Sequence, residues 1–488
     1  MKRIHFFKIF ILSILLFNCN EKIDNENGGT IPLEKLSSEY SGINFSNDIY
    51  PNLETRENLF DYDYFYNGSG VGIADLNNDG LKDILFTANQ KPNKLYMNAG
   101  DLKFNDVTDS SNINQNKRWS SGVTFADVNA DGWLDIYISQ GGPYEKEKRS
   151  NILLINNKDL TFSDETIKYG LDDMGISTQS AFFDFDKDGD LDCIVMNEND
   201  YYGYDPLTFF KKFENKTLLE QNSSHLYEQI DGKFVNITEK AGLLSPTFGL
   251  GLCVSDINND GWLDIYIAND YYVKDGMYIN NQDGTFSNKI KESTKQISFY
   301  GMGVDIEDIN GDNLSDIFVL DMASSDHVRS KTLMASMNTS NFDLITNKLD
   351  QHYQYMFNSL QLNMGNDKYH NISHQLSLAK TDWSWAGLIF DYNLDGNEDI
   401  FVTNGYRKYG SDNDSRIKIN QTKLEFNNSV PIEMKKRLYE ELPSEKLSNL
   451  LYKNEGKLSF KEVGGKSKIL EPSFSNGASY ADLDNDGD

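Results

Sequence analysis

Apolar residues occur in short runs along the chain, and an acidic turn precedes most of them. The runs Ile84-Leu85-Phe86, Ile136-Tyr137-Ile138, Ile265-Tyr266-Ile267, Ile317-Phe318-Val319 and Ile400-Phe401-Val402 have the β-branched and aromatic character of buried strands. A second pattern trails them. Leu95-Tyr96-Met97-Asn98, Met277-Tyr278-Ile279-Asn280 and Leu451-Tyr452-Lys453-Asn454 lead through turns to Phe104, Phe286 and Phe460, and Leu360-Gln361-Leu362-Asn363 is similar. An Asn/Gly turn with an aromatic after it predicts an outer hairpin. Each unit therefore reads as an inner strand, an acidic turn, a second strand and a hairpin. Four antiparallel strands per repeat make a propeller blade.

The acidic turn follows the pattern Asp-x-Asn/Asp-x-Asp-Gly-x-x-Asp. It starts at Asp75, Asp127, Asp184, Asp256, Asp308, Asp391 and Asp482, with intervals of 52 to 91 residues. A minimal blade needs about 40–50. The surplus falls in residues 201–224, 322–354 and 406–447, of which the last two carry partly helical patterns. The expected fold class is all-β: a seven-bladed β-propeller of four-stranded antiparallel blades, with the partly helical insertions projecting from one face. Residues 41–45 look like an outer strand that completes the final blade. The seventh turn reaches Asp488 before its ninth position, so the reading expects a longer protein and an incomplete last blade.

The spacing fits a calcium cage. Calcium takes six to eight oxygens at about 2.3–2.6 Å, so several acidic side chains must converge from one coiled loop. Positions one, three and five point inward, glycine at six permits the sharp turn, a carbonyl comes from seven and a carboxylate from nine. The expected ligands are Asp75, Asn77, Asp79, the Leu81 carbonyl and Asp83 in the first loop. In the second they are Asp127, Asn129, Asp131, Trp133 and Asp135, and in the third Asp184, Asp186, Asp188, Asp190 and Asp192. The fourth offers Asp256, Asn258, Asp260, Trp262 and Asp264, and the fifth Asp308, Asn310, Asp312, Leu314 and Asp316. The sixth offers Asp391, Asn393, Asp395, Asn397 and Asp399, and the seventh Asp482, Asp484 and Asp486. Asn313 stands in the fifth loop where the others have glycine. An EF-hand needs a bidentate glutamate at position twelve and flanking helices. Position twelve here is Phe86, Ile138, Val195, Ile267, Val319 or Val402, so the loops are expected to join strands. The bland alternative is a set of metal-free acidic turns, in which converging carboxylates repel one another.

Composition sharpens this picture. Forty-six basic against 75 acidic residues leave a net charge of −29 over 488 residues. That repels phosphate backbones and excludes nucleic-acid binding through a basic face. Three cysteines exclude a disulfide scaffold and a Cys-built zinc site. Cys193 and Cys253 fall in expected strands as small apolar residues. Lys2 and Arg3 precede an apolar run from Ile9 to Phe17, too short for a membrane span, and Leu16-Phe17-Asn18-Cys19 resembles a bacterial lipobox. The expected organisation is a lipoprotein signal over 1–19, with Cys19 lipidated, a flexible tether over 20–39 and the propeller over 40–488. A plain signal peptide is the alternative. The lipid reading places the chain on the outer membrane, exported and exposed at the surface.

The aromatic-glycine strand starts followed by Asp-rich loops resemble FG-GAP/VCBS repeats of integrin-α-like propellers. Tyr64-Phe65-Tyr66-Asn67-Gly68, Gln354-Tyr355-Met356-Phe357-Asn358, Asp382-Trp383-Ser384-Trp385-Ala386, Thr403-Asn404-Gly405-Tyr406-Arg407 and Pro472-Ser473-Phe474-Ser475-Asn476-Gly477 are similar to a family of large secreted bacterial proteins. Members of that family continue into an ASPIC/UnbV domain. The resemblance implies fold and calcium, up to seven sites, but no activity. Bacteroidota relatives imply a link to glycan acquisition.

Counting eight residues back from the motif starts gives Trp119, Phe248, Tyr300, Trp383 and Phe474, with Gly122, Gly251, Gly303, Ala386 and Gly477 three positions later. Small residues suit the crowded strands near a propeller axis. The aromatics could ring one face and stack on sugars, or pack between blades as core. None of the six histidines forms a His-Glu-x-x-His motif, and no phosphate-loop context surrounds the glycine pairs. The expected function is a non-catalytic, calcium-stabilised module that binds a glycan or a surface protein. A lyase-like enzyme on a propeller scaffold and a structural subunit of an uptake complex are the alternatives.

Overall fold

The computed structural model describes residues 33–114, 119–333, 339–427, 429–463 and 470–487. The expected lipid-bearing Cys19 lies outside the described residues. Six four-stranded antiparallel sheets follow one another in sequence, an all-β arrangement consistent with propeller blades. The first comprises β1 (Val71–Ala74), β2 (Asp83–Phe86), β3 (Lys94–Asn98) and β4 (Phe104–Asp106), paired in that order. The other five repeat the order, starting from strands Ser120–Ala126, Ile176–Phe183, Gly249–Ser255, Val304–Glu307 and Ser384–Phe390. Ile297–Ser298, between the fourth and fifth sheets, and Gln354–Tyr355, at the end of the second insertion, add a short parallel pair.

Register is common to all six. The residue ending the first strand pairs with the ninth-position aspartate that opens the second: Ala74 with Asp83, Ala126 with Asp135, Phe183 with Asp192, Ser255 with Asp264, Glu307 with Asp316 and Phe390 with Asp399. The acidic turns thus join strand to strand, as the residues at position twelve require. Second strands such as Asp135–Gln140 and Asp264–Asn269 are buried along their whole length, which explains their unbroken apolar runs. The core lies between facing sheets. Leu85 of the first packs with Ile136 and Leu154 of the second, and Ile194 of the third with Ile265 and Ile267 of the fourth.

First strands approach one another closely. A Cβ on Gly303 would sit 2.2 Å from the Trp385 carbonyl oxygen, and one on Gly477 would sit 3.0 Å from that of Ser69. Small residues there are a steric requirement, as expected. Residues 473–487 form no named strand. They nevertheless touch the sixth sheet, where Thr403 Oγ1 donates to the Asn476 carbonyl (2.6 Å) and Phe390 stacks on Tyr480. They also touch the first, where Asn98 Nδ2 donates to the Leu483 carbonyl (2.8 Å).

Two expectations need correction. Residues 41–45 are not a strand: Ser37 caps a single helical turn, Ser38–Ser41, and Gly42 ends it at φ 77. The chain then lies on the first sheet, with Phe45 stacked on Phe86 at 4.8 Å. Helices also occur in all three insertions, not only the last two. Residues 201–224 hold Pro206–Lys212 and Lys216–Gln221, the first capped by Asp205 with proline at its start. Arg329–Thr332 lies in the second insertion, and Asn413–Glu425 and Ile432–Glu440 in the third. Among the described residues, no helix is long and apolar enough to cross a membrane.

Candidate functional site

Two regions carry chemistry, at opposite ends of the strands. The acidic loops occupy one end. In the first, Asp75 accepts the Asp79 and Gly80 backbone N–H groups (3.2 and 2.8 Å), Asn77 Oδ1 accepts that of Asp79 (3.0 Å), and Asp79 accepts that of Leu81 (2.9 Å). Loops two, four and five repeat these bonds. The coil needs left-handed residues at positions four and six. Asn78 and Gly80 supply them in the first loop, and in the fifth Gly311 and Asn313 exchange roles at φ 75 and 65. Asparagine tolerates that region, so the departure from glycine leaves the loop intact.

The carboxylates converge most clearly in loops three and seven. The ligand atoms of Asp184, Asp186 and Asp188 lie within 4.8 Å of one another, as do those of Asp482, Asp484 and Asp486. Asp184 Oδ1 and Asp482 Oδ1 are buried without a hydrogen-bond partner among the described residues. Buried acceptors without donors are costly, and a divalent cation is the partner that this donor set suits. Burial and neighbouring Asp188 push the Asp186 carboxyl up. The sixth loop differs: Asn393 turns its amide to Asp399 (2.8 Å).

The ninth-position aspartates do more than face the loop. Each is buried, and in the first five loops one oxygen accepts the backbone N–H of position two while the other accepts one from the third strand. For Asp83 these donors are Leu76 and Asn98, both at 2.9 Å. Asp135, Asp192, Asp264 and Asp316 repeat the pair. They bracket loop to sheet. Burial raises Asp83 and Asp135 to about 6 and Asp192, Asp264 and Asp316 to about 7, with the loop carboxylates adding to the effect.

Sequence reasoning missed how the loops interlock. Third-strand asparagines reach back to the preceding loop: Asn156 Nδ2 to the Leu76 carbonyl (2.8 Å), Asn280 to Phe185 (2.8 Å) and Asn454 to Ile309 (3.2 Å). Asn98 makes the same bond to Leu483 in the seventh loop. Position-four residues reach forward: Asn78 Nδ2 to the Gly132 carbonyl, Asn259 to Asn313 and Asn485 to Gly80. Lys187 lies 4.2 Å over the Trp262 ring instead.

The other end holds a chamber of about 480 Å³. It opens beside an axial cavity of about 270 Å³, which is lined by the first strands of all six sheets together with residues 476–478. Asn67, Leu250 and Trp385 border both. Of the expected aromatic ring, Tyr300 and Trp383 line the chamber. Trp119 and Phe248 are buried in the core, against Phe65 and Phe209 respectively, and Phe474 is half-buried in the segment that follows the sixth sheet. The structure does not bring the five together.

The chamber's remaining side chains come from distant segments. Tyr202 and Tyr271 stack at 6.4 Å, and Trp383 lies flat on Tyr406 at 4.5 Å. Tyr271 donates to Asp63 Oδ2 (2.9 Å), Tyr406 to the Asp63 carbonyl (2.7 Å) and Tyr64 to Asp270 Oδ2 (3.2 Å). Asp63 keeps accessible surface because it borders the chamber, while the packed protein around it pushes its carboxyl up to about 6. Burial takes Asp270 to about 7. The repeated tetrapeptide Asn-Asp-Tyr-Tyr, at Asn199 and Asn269, was the available signal for two of these walls.

The comparisons with known proteins find FG-GAP-like repeats in the chain. The FG-GAP-like repeat model matches residues 75–138 and 256–319, each running from one acidic loop to the second strand of the following sheet and so containing loops one and two, and four and five. Among curated proteins, the chain is similar to cartilage acidic protein 1 of Xenopus tropicalis, 25% identical over 249 residues, covering 50% of this chain and 35% of that protein. It also resembles human cartilage acidic protein 1 (26% over 204 residues, 41% and 28%) and a T-cell immunomodulatory protein homolog of Plasmodium falciparum (24% over 242 residues, 40% and 32%). The matches thus span about a third of those relatives' length. Among solved structures, the V. cholerae biofilm matrix protein Bap1 aligns at TM-score 0.29 and 13% identity, over 53% of this chain and 35% of that one.

Proposed function

We propose that this chain is an extracellular, calcium-stabilised binding module. In this reading seven blades form a wheel, with residues 473–487 contributing the seventh loop and the first sheet closing against it. The carrying observation is the recurrence of one loop geometry, including two loops whose buried carboxylate oxygens lack donors. Asp184, Asp186 and Asp188 hold calcium in the third loop, and the matching positions hold it elsewhere. When bound, the ion neutralises converging carboxylates and offsets part of the net charge of −29. The Asn98–Leu483 and Asn485–Gly80 bonds, of the same kind as those joining the other units, support closure.

The module is non-catalytic, attached to the outer membrane through Cys19, and binds a glycan or a surface protein at the chamber end. Burial pushes Tyr64, Tyr202, Tyr271 and Tyr300 up, which keeps their hydroxyls protonated. That suits hydrogen-bond donors. The test is thermal unfolding with calcium and with chelator. A large drop on chelation is expected; coincident curves would refute structural calcium.

A further inference from the structure

The helix Asn413–Glu425 lines the chamber with one face, whose Arg416 and Lys423 lie near enough to Asp63 to favour its charged form against the effect of burial. Arg416, Ile419, Asn420 and Lys423 recur at the spacing of one helical face, and all four line the chamber. Neither Arg416 nor Lys423 forms an ion pair within 4.0 Å among the described residues. Both cations are exposed on the chamber side of the helix, so their charges are available to a ligand. The same helix does pair Lys418, with Glu441 of the neighbouring helix, so its cations are not merely short of partners.

Opposite these cations stand aromatic faces and acceptors. Trp385 and Tyr406 offer one group of rings, and Tyr202, Tyr271 and Tyr300 another. Asp63 uses one carboxylate oxygen for Tyr271, and its other oxygen accepts no hydrogen bond among the described residues. Trp383, only 6% exposed, lines the chamber, and its indole N–H has no acceptor among the described residues. Buried tryptophan N–H groups ordinarily find a partner. The volume falls within the range of about 300–1,000 Å³ typical of small-molecule sites. Rings for stacking, a carboxylate for hydroxyl groups, a donor without an acceptor and a pair of cations together describe one ligand chemistry.

We propose that the chamber binds an acidic saccharide of about one or two rings, its carboxylate held between Arg416 and Lys423 and its hydroxyls by Asp63 and Trp383. The sugar face lies on the tyrosine and tryptophan rings. This rests on the binding-module reading and names the ligand class for the same end of the molecule. The two cations favour an acidic sugar over a neutral one, because its carboxylate makes charge-assisted hydrogen bonds that a neutral sugar cannot.

The test is tryptophan fluorescence and calorimetric titration of the whole chain, in calcium, with digalacturonate and with the neutral digalactose of the same linkage. Saturable binding of the acidic sugar is expected, at least tenfold tighter than the neutral one and weakened by salt. Arg416→Ala/Lys423→Ala should lose that tenfold preference while its melting temperature stays unchanged, because both side chains are exposed. Equal binding of the two sugars, or a preference that survives the double substitution, would overturn the acidic assignment and leave the module reading standing. No binding of either sugar would overturn the chamber as a saccharide site. The calcium-dependent melt, which does not involve Arg416 or Lys423, reports on the scaffold separately.

Discussion

The two ends of the molecule differ in how they are made. The loop end repeats one local device, so each aspartate finds its donors within nine residues or on the adjacent third strand. Asp83 and Asp270 show the contrast. Asp83 accepts backbone N–H groups on both oxygens and joins a loop to a strand. Asp270 accepts the Tyr64 hydroxyl from 206 residues away and borders open volume. Repetition yields rigidity at one end, and long-range convergence yields a shaped space at the other. Charge buried for architecture and charge buried for recognition should therefore respond differently to substitution.

Chelation should break the comparison most severely. Saturated extracellular-type sites contribute about 1–3 kcal/mol each, so loss of several should lower the melting temperature by more than about 10 °C. Differential scanning calorimetry measures it, and the chamber should lose its ligand only as the whole fold melts. Next in size is Asp83→Ala, which leaves the Leu76 and Asn98 N–H groups unpaired; urea unfolding should show a loss of about 2–4 kcal/mol. Asp270→Asn should have the opposite sign near neutral pH. Its carboxyl is raised to about 7 and that of Asp321 to about 8, both by burial. The folded state then holds protons that the unfolded chain releases near pH 4, so stability falls as pH rises from about 4 through 7–8. Melting curves across that window should flatten in Asp270→Asn and Asp321→Asn. An unchanged slope would show that these groups ionise freely. Smallest is Asn313: Asn313→Ala should cost about 1 kcal/mol and Asn313→Gly almost nothing, by chemical denaturation.

Legibility in the sequence follows the same division. The loops, second strands and hairpins could be read because their determinants sit within a dozen residues, as in Asp256 through Ile267. The crowding of Gly122, Gly251 and Gly303 was legible for the same reason. The chamber was not, since Asp63, Tyr202, Asp270, Trp383 and Arg416 share no spacing and meet only through folding. Tyr300 and Trp383 were found by counting back from a motif, yet the same count selected Trp119 and Phe248, which are core. The Asp205-Pro206 helix start is a local signal of a cap followed by proline, carried by a helix of only seven residues with no long apolar period. Residues 41–45 read as a strand because Ile43 and Phe45 alternate, although a serine cap and Gly42 enclose the helical turn just before them.

The exchange of Gly311 and Asn313 has a wider consequence. What passes from copy to copy is a backbone trace, two left-handed corners bracketing one aspartate, and either corner accepts whichever small or amide residue drift supplies. A search keyed to glycine in the sixth column would discard such a copy as degenerate, although its aspartates still receive every amide they need. Counting bends rather than letters should therefore recover members of this lineage that pattern matching undercounts.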